Sequence, residues 1–299
     1  MKILITGASG LVGGKLIPVL EAKGYEIFRL SRSEPKTAND VQWDAYEGFE
    51  DNELSKLEGT DAVVHLAGEN VAGGTWTEER KKRIRDSRVI GTRTLIEALK
   101  RLNDPPGIVV SASAIGFYGN RGDEILSEDS DAGTGFFPEV CQEWEEEGSK
   151  AKEFGARVVH PRIGIVISKD GGALEKMLTP FKFGVGGTIG SGDQWMSWVA
   201  IDDLVNMISF AIENDDLDGA FNATSPNPVR NQEFTDILGK VINRPTILPV
   251  PSFGIKLLFG EMGETLLLEG ARILPKRLQE AGYEFRYPDL SGALEAELK

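Results

Sequence analysis

The chain has 299 residues, 40% hydrophobic and 27% charged, a globular composition with room for one large α/β unit or two closely packed lobes. Its 33 Lys and Arg against 47 Asp and Glu leave a net charge of −14, which disfavours nucleic acid, because phosphate binding needs clustered cations that release counterions. No apolar run reaches the ~18 residues of a membrane span, a single Cys141 excludes an internal disulfide, and two His with that Cys are too few for a nitrogen-and-sulfur metal site.

The opening MKILITGASG passes directly into a strand-and-glycine pattern, with no apolar leader or small-residue cleavage site, so a cytoplasmic setting is expected. Through the first half, β-rich runs alternate with helical stretches: KILIT, LVGGKLIPVLEAKG, EIFRLS, VQW, DAVVHLAG, a long helix, then GIVVSAS. That alternation predicts right-handed βαβ crossovers over a parallel sheet, and the near-continuous apolar strands predict helices on both faces. ARVVHPRIGIVI reads as one further strand, and a run near 220–222 as another. From Ser168 glycines crowd the chain, so 168–197 reads as loop; helical patterns follow at 257–273 and at PDLSGALEAELK, where Leu290, Leu294 and Leu298 share a face. The expected division is a dinucleotide-binding domain of residues 1–167 plus about 198–224, with 168–197 and 225–299 forming a smaller C-terminal substrate or lid lobe. The fold class is thus α/β, a Rossmann-type doubly wound parallel sheet.

TGASGLVGGKL sets Gly7, Gly10 and Gly13 between a buried strand and a helix, the context that gives a glycine triplet meaning. Gly7 permits the sharp turn, Gly10 lets backbone approach a pyrophosphate, and Gly13 allows the helix to pack closely on the strand. Ser9, Gly10, Leu11 and Val12 then offer amides at the helix N-terminus. Such sites choose their cofactor at the tip of the second strand, where an acid bonds the ribose 2′-OH of NAD. Here that tip carries Ser31 and Arg32, and a guanidinium suits the 2′-phosphate of NADP(H).

With TGxxGxxG at the start, HLAGEN after the fourth strand and SASAIGFYG after the fifth, the chain resembles an extended short-chain dehydrogenase/reductase. More narrowly, GGALEKMLTPFKFGVGGTIGSGDQWMSW and LLLEGARILPKRLQEAGYEFRYPDL are similar to the atypical NADP-binding epimerase-family proteins sometimes labelled cell-division-inhibitor-like. The resemblance implies that Leu66, Ala67 and Gly68 lie along the cofactor, with Glu69 near the nicotinamide end. It puts Arg88 where the superfamily has a cofactor-side Asn, and Val166 beside the nicotinamide. Arg83, five residues before Arg88, either reaches the cofactor or is a surface charge.

The superfamily uses a Tyr with a Lys four residues on, and a Ser holding the substrate oxygen. Ser113 matches that Ser, whereas Phe137 and Cys141 fall where the Tyr and Lys belong. Candidates for the displaced proton donor are Tyr118, Ser113, Cys141 and Glu69; each also reads as an ordinary packing, turn or capping residue. Two functions follow. One is an NADP(H)-dependent oxidoreductase or epimerase-like enzyme on a small-molecule substrate. The other is a non-catalytic NADP(H)-binding regulatory or interaction protein. Neither reading calls for a metal, a membrane or a nucleic-acid partner, and the chain is expected to be a monomer or homodimer.

Overall fold

Where β-branched and large aliphatic residues run together the chain forms strands, and the computed structural model, which describes residues 1–299, lays most of them into one sheet. The first half supplies β1 (Lys2–Thr6), α1 (Leu11–Ala22), β2 (Glu26–Ser31), β3 (Asp40–Gln42), α2 (Asp51–Ser55), β4 (Ala62–His65), α3 (Glu78–Leu99) and β5 (Ile108–Ser111). Next come β6 (Ser113–Ala114), β7 (Ile125–Leu126), α4 (Phe136–Ser149), β8 (Arg157–Ile163), β9 (Ile165–Ile167) and α5 (Gly172–Lys182). The remainder comprises β10 (Trp195–Met196), β11 (Trp198–Ala200), α6 (Ile201–Glu213), β12 (Gly219–Ala223), β13 (Val229–Arg230), α7 (Asn231–Val241), α8 (Ser252–Gly263), β14 (Arg272–Ile273), α9 (Lys276–Glu280) and α10 (Leu290–Leu298).

The sheet runs β12-β8-β5-β4-β1-β2-β3 with every pairing parallel, and β6 adds to β8. Alternation along β1 divides its two faces: Ile3 and Ile5 pack with Leu16, Leu20, Leu204 and Ile208 of α1 and α6, while Leu4 faces Leu95 and Leu99 of α3. The order reverses between β1 and β4, so the crevice at their C-terminal ends is the switch point where doubly wound sheets bind ligands. A separate core joins α5, α7 and α10 through Leu174, Phe181, Phe234, Leu238, Leu290 and Leu294.

Three expectations are corrected. The glycine-crowded stretch contains α5, because Leu174, Leu178 and Phe181 recur at helical spacing and all bury. ARVVHPRIGIVI breaks at Gly164, where a Cβ would lie 2.7 Å from the Ser197 carbonyl oxygen, and β9 leaves the main sheet to pair with β11. The helix expected over 257–273 is bent at Gly260 (φ 56°), and its last residues form β14 against β7.

Candidate functional site

At the end of β1, Gly7 turns the chain at φ +67°, and any Cβ there would come 2.9 Å from the Leu66 carbonyl carbon. A Cβ on Gly13 would sit 2.4 Å from the Gly7 oxygen, so helix and turn are in contact because both residues lack side chains. No side chain caps α1, and Ser9 and Gly10 are exposed beside half-buried Leu11 and Val12. The resulting cradle has open amides and no Cβ where a pyrophosphate must approach, which fits a dinucleotide. At the tip of β2, Ser31 Oγ accepts from the Ser33 N–H at 3.1 Å. Arg32 next to it is exposed and belongs to no ion pair.

The strip after β4 is fixed from behind. Thr6 Oγ1 accepts from the Leu66 and Ala67 amides at 3.0 and 3.1 Å, so its own proton goes to His65 Nδ1 at 2.7 Å. That assigns the remaining ring proton to Nε2, which donates to Thr92 Oγ1 at 3.0 Å. Burial holds His65 neutral, its pKa pushed down to about 4. The Glu69 amide donates to Ser87 Oγ.

Arg88 lies behind the same strip. Its Nη1 donates to the carbonyls of Glu69 and Ile84, both at 3.1 Å, and its guanidinium sits 5.1 Å from the Trp144 ring. Burial lowers its pKa, and no carboxylate pairs with it. The Glu69 carboxylate is instead held by Arg80 at 3.2 Å and by Arg83 at 3.3 Å, and Arg83 also meets Glu79. Arg83 therefore spends its charge on neighbouring acids at the surface. Leu11, Val12, Leu66 and Val166 gather at the fringe of one core, bringing the turn, the strip and β9 together.

At the end of β5 the Ser113 hydroxyl donates to Glu145 Oε1 at 2.6 Å. Arg162 grips the same carboxylate through Nε at 2.8 Å and Nη2 at 2.9 Å, stacks 3.4 Å from the centre of the Phe117 ring, and donates from Nη1 to Tyr118 Oη. Tyr118 is 0% exposed, and its hydroxyl donates to Asn222 at 2.7 Å. Its pKa is raised, chiefly by burial, and its hydroxyl is committed to Arg162 and Asn222. Cys141 is buried as well, and desolvation pushes its pKa up to about 12. Phe137 stacks on Trp76 with its ring against Gly116.

Glu145, Arg162 and His65 were missed by sequence reasoning. Glu145 had a signal: Phe137, Cys141 and Glu145 stand four residues apart, which sets all three on one side of α4. Arg162 and His65 were concealed in apolar runs, where their partners come from distant elements.

A parallel doubly wound sheet, a glycine cradle at its switch point and a serine after the fifth strand define a Rossmann-type fold. Residues 3–223 match the NAD dependent epimerase/dehydratase family, and residues 250–297 a domain of unknown function, DUF1731. The chain belongs to that epimerase/dehydratase family. It is 40% identical over 304 residues to the chloroplastic epimerase family protein SDR39U1 homolog of Arabidopsis thaliana, covering 99% of this chain and 86% of the relative. It is 36% identical over 299 residues to epimerase family protein YfhF of Bacillus subtilis, covering 98% and 97%. Among solved structures, human epimerase family protein SDR39U1 (isoform2) with NADPH superimposes at a TM-score of 0.91, with 31% identity and 99% of both chains covered. No helix is long and apolar enough to cross a membrane.

Proposed function

We propose that this protein binds NADP(H) and exchanges hydride with a small carbonyl- or carbinol-bearing substrate, in a cytoplasmic setting. The observation that carries the reading is the exposed, unpaired Arg32 beside an uncapped glycine cradle. That the human relative was solved with NADPH supports it. Gly7 to Val12 would hold the pyrophosphate, Ser31 and Arg32 the 2′-phosphate, and Leu66 to Glu69 with Val166 the nicotinamide half; Arg88 supports that strip from behind. Bound there, the cofactor supplies or accepts a hydride.

The chain's own task is the proton. Ser113 and Glu145 form a line in which a substrate hydroxyl gives its proton to Ser113 Oγ as Ser113 passes its own to Glu145 Oε1; the reverse reaction runs back along it. Arg162 fixes the carboxylate for this exchange. Ser113 is 2% exposed, so a substrate oxygen reaches it only after the side chains over it move.

A second reading, a non-catalytic NADP(H)-binding regulator, is favoured by the same enclosure together with the apolar Phe137 and the inert Cys141. Incubating the protein with NADPH and a panel of aldehydes, ketones, quinones and nucleotide sugars, while following cofactor absorbance, separates the two. Turnover lost in Ser113→Ala and Glu145→Gln supports the enzyme; binding without turnover supports the regulator. Arg32→Ala is expected to weaken NADPH about tenfold or more while leaving NADH unchanged. Equal losses for both would overturn the cofactor assignment.

A further inference from the structure

Arg88 carries a charge that no acid in the protein answers. Its guanidinium is half-buried against the strip after β4 and keeps its proton in any protein setting, yet it donates only to the carbonyls of Glu69 and Ile84. The acids around it are matched to other cations. Glu69 is shared by Arg80 and Arg83, and Arg83 also meets Glu79. On α4 the acids withdrawn from solvent, Glu143, Glu145 and Glu147, pair with Arg85, Arg162 and Arg93. Two further neighbours add no negative charge. Burial keeps Cys141 a neutral thiol, its pKa pushed up to about 12, and Trp144, whose ring lies 5.1 Å from the guanidinium, has an indole N–H without an acceptor.

This charge lies next to the strip Leu66 to Glu69. A Cβ on Gly68 would meet Arg88 Cζ at 3.3 Å, Nη2 at 3.4 Å and Nη1 at 3.5 Å, so the guanidinium turns its face to that glycine with no side chain between them. Gly68 and Glu69 belong to the stretch assigned above to the nicotinamide half, and the inference rests on that reading. The two forms of the cofactor differ there by one unit charge, because the oxidised ring is a cation and the reduced ring is neutral. A fixed guanidinium nearby opposes the first and not the second, and a half-buried charge is screened less than one at the surface.

We infer that Arg88 is the residue that selects the redox form of the cofactor: its uncompensated charge makes the protein hold NADPH in preference to NADP⁺.

The test is calorimetric titration of NADPH and of NADP⁺ into the full chain, for the parent, Arg88→Met and Arg88→Lys. Both forms carry the same pyrophosphate, riboses and 2′-phosphate, so the ratio of their dissociation constants cancels the glycine cradle and Arg32 and reads the ring alone. The parent is expected to hold NADPH about tenfold or more tighter. On a two-electron couple tenfold is about 30 mV. Arg88→Met should bring the ratio close to one, whatever the lost carbonyl bonds cost both forms alike. Arg88→Lys, which keeps the charge and loses the planar fork, should retain most of the preference. Equal affinity of the parent for the two forms would overturn the inference without any variant. An unchanged ratio in Arg88→Met would also overturn it, since Arg88 would then only support the strip, and so would a ratio lost as fully in Arg88→Lys as in Arg88→Met. Failure of both forms to bind the parent is a separate result, which would overturn the NADP(H) reading and this inference with it.

Discussion

Arg162 and Glu145 meet through two parallel hydrogen bonds, at 2.8 and 2.9 Å, with only 6% and 13% of their side chains exposed. The pair joins β8 to α4 directly beneath Ser113, and its guanidinium also lies against Phe117 and Tyr118. Removing one member of such a pair leaves a charge with neither water nor partner, which costs about 3–5 kcal/mol. Arg162→Met should therefore be strongly destabilising in chemical denaturation. Arg162→Met combined with Glu145→Leu should recover much of that loss, because an apolar replacement has no charge to strand. Additive losses in the double variant would show that the two residues act independently.

The two glycines opening α1 should respond in opposite directions. Gly13→Ala places a Cβ 2.4 Å from the Gly7 oxygen and 2.8 Å from the Ala8 Cα, both backbone atoms that cannot turn aside. It should cost about 1–3 kcal/mol and weaken NADPH binding by displacing the cradle. Gly14→Ala meets nothing within 4 Å and lies inside the helix. It should raise stability by about 0.5–1 kcal/mol, since alanine loses less backbone entropy in a helix. Paired thermal denaturation and calorimetric titration would check both signs; the same sign for both would discredit the cradle contact.

How legible each part was from sequence follows from how local its cause is. The glycine turn, the buried parallel strands and the Arg32 tip depend on neighbours within a few residues, and each could be read directly. The break at Gly164 depends on Ser197, and the 3.1 Å bond from its amide on Ala223. Nothing in the run ARVVHPRIGIVI announces either. The polar network under Ser113 is distributed over α4, β8, the turn at Tyr118 and β12, so periodicity showed its members only as core residues or a lone charge. Tyr118 shows the limit of the approach: its place in a motif suggested chemistry, while its 104-residue separation from Asn222 determined where its hydroxyl points.

His65 should make stability depend on pH in a definite window. Its folded pKa of about 4 lies below the ordinary 6.5, because the ring is buried and hydrogen-bonded as a neutral base between Thr6 and Thr92. Between those values the unfolded chain binds a proton that the folded chain refuses, so stability falls as pH drops. The contribution is complete above pH 6.5, declines through the window and is gone near pH 4. The shift corresponds to about 3 kcal/mol. Acidic groups titrate in the same range, so the measurement is a difference: urea denaturation of the parent and of His65→Asn from pH 4 to 7. Asparagine offers a donor and an acceptor but takes up no proton, so the parent's advantage should shrink steadily on acidification. A gap that stays constant with pH would mean that His65 is not held as a neutral base. The amides of Leu66 and Ala67, which point at Thr6, would then need another explanation for their placement.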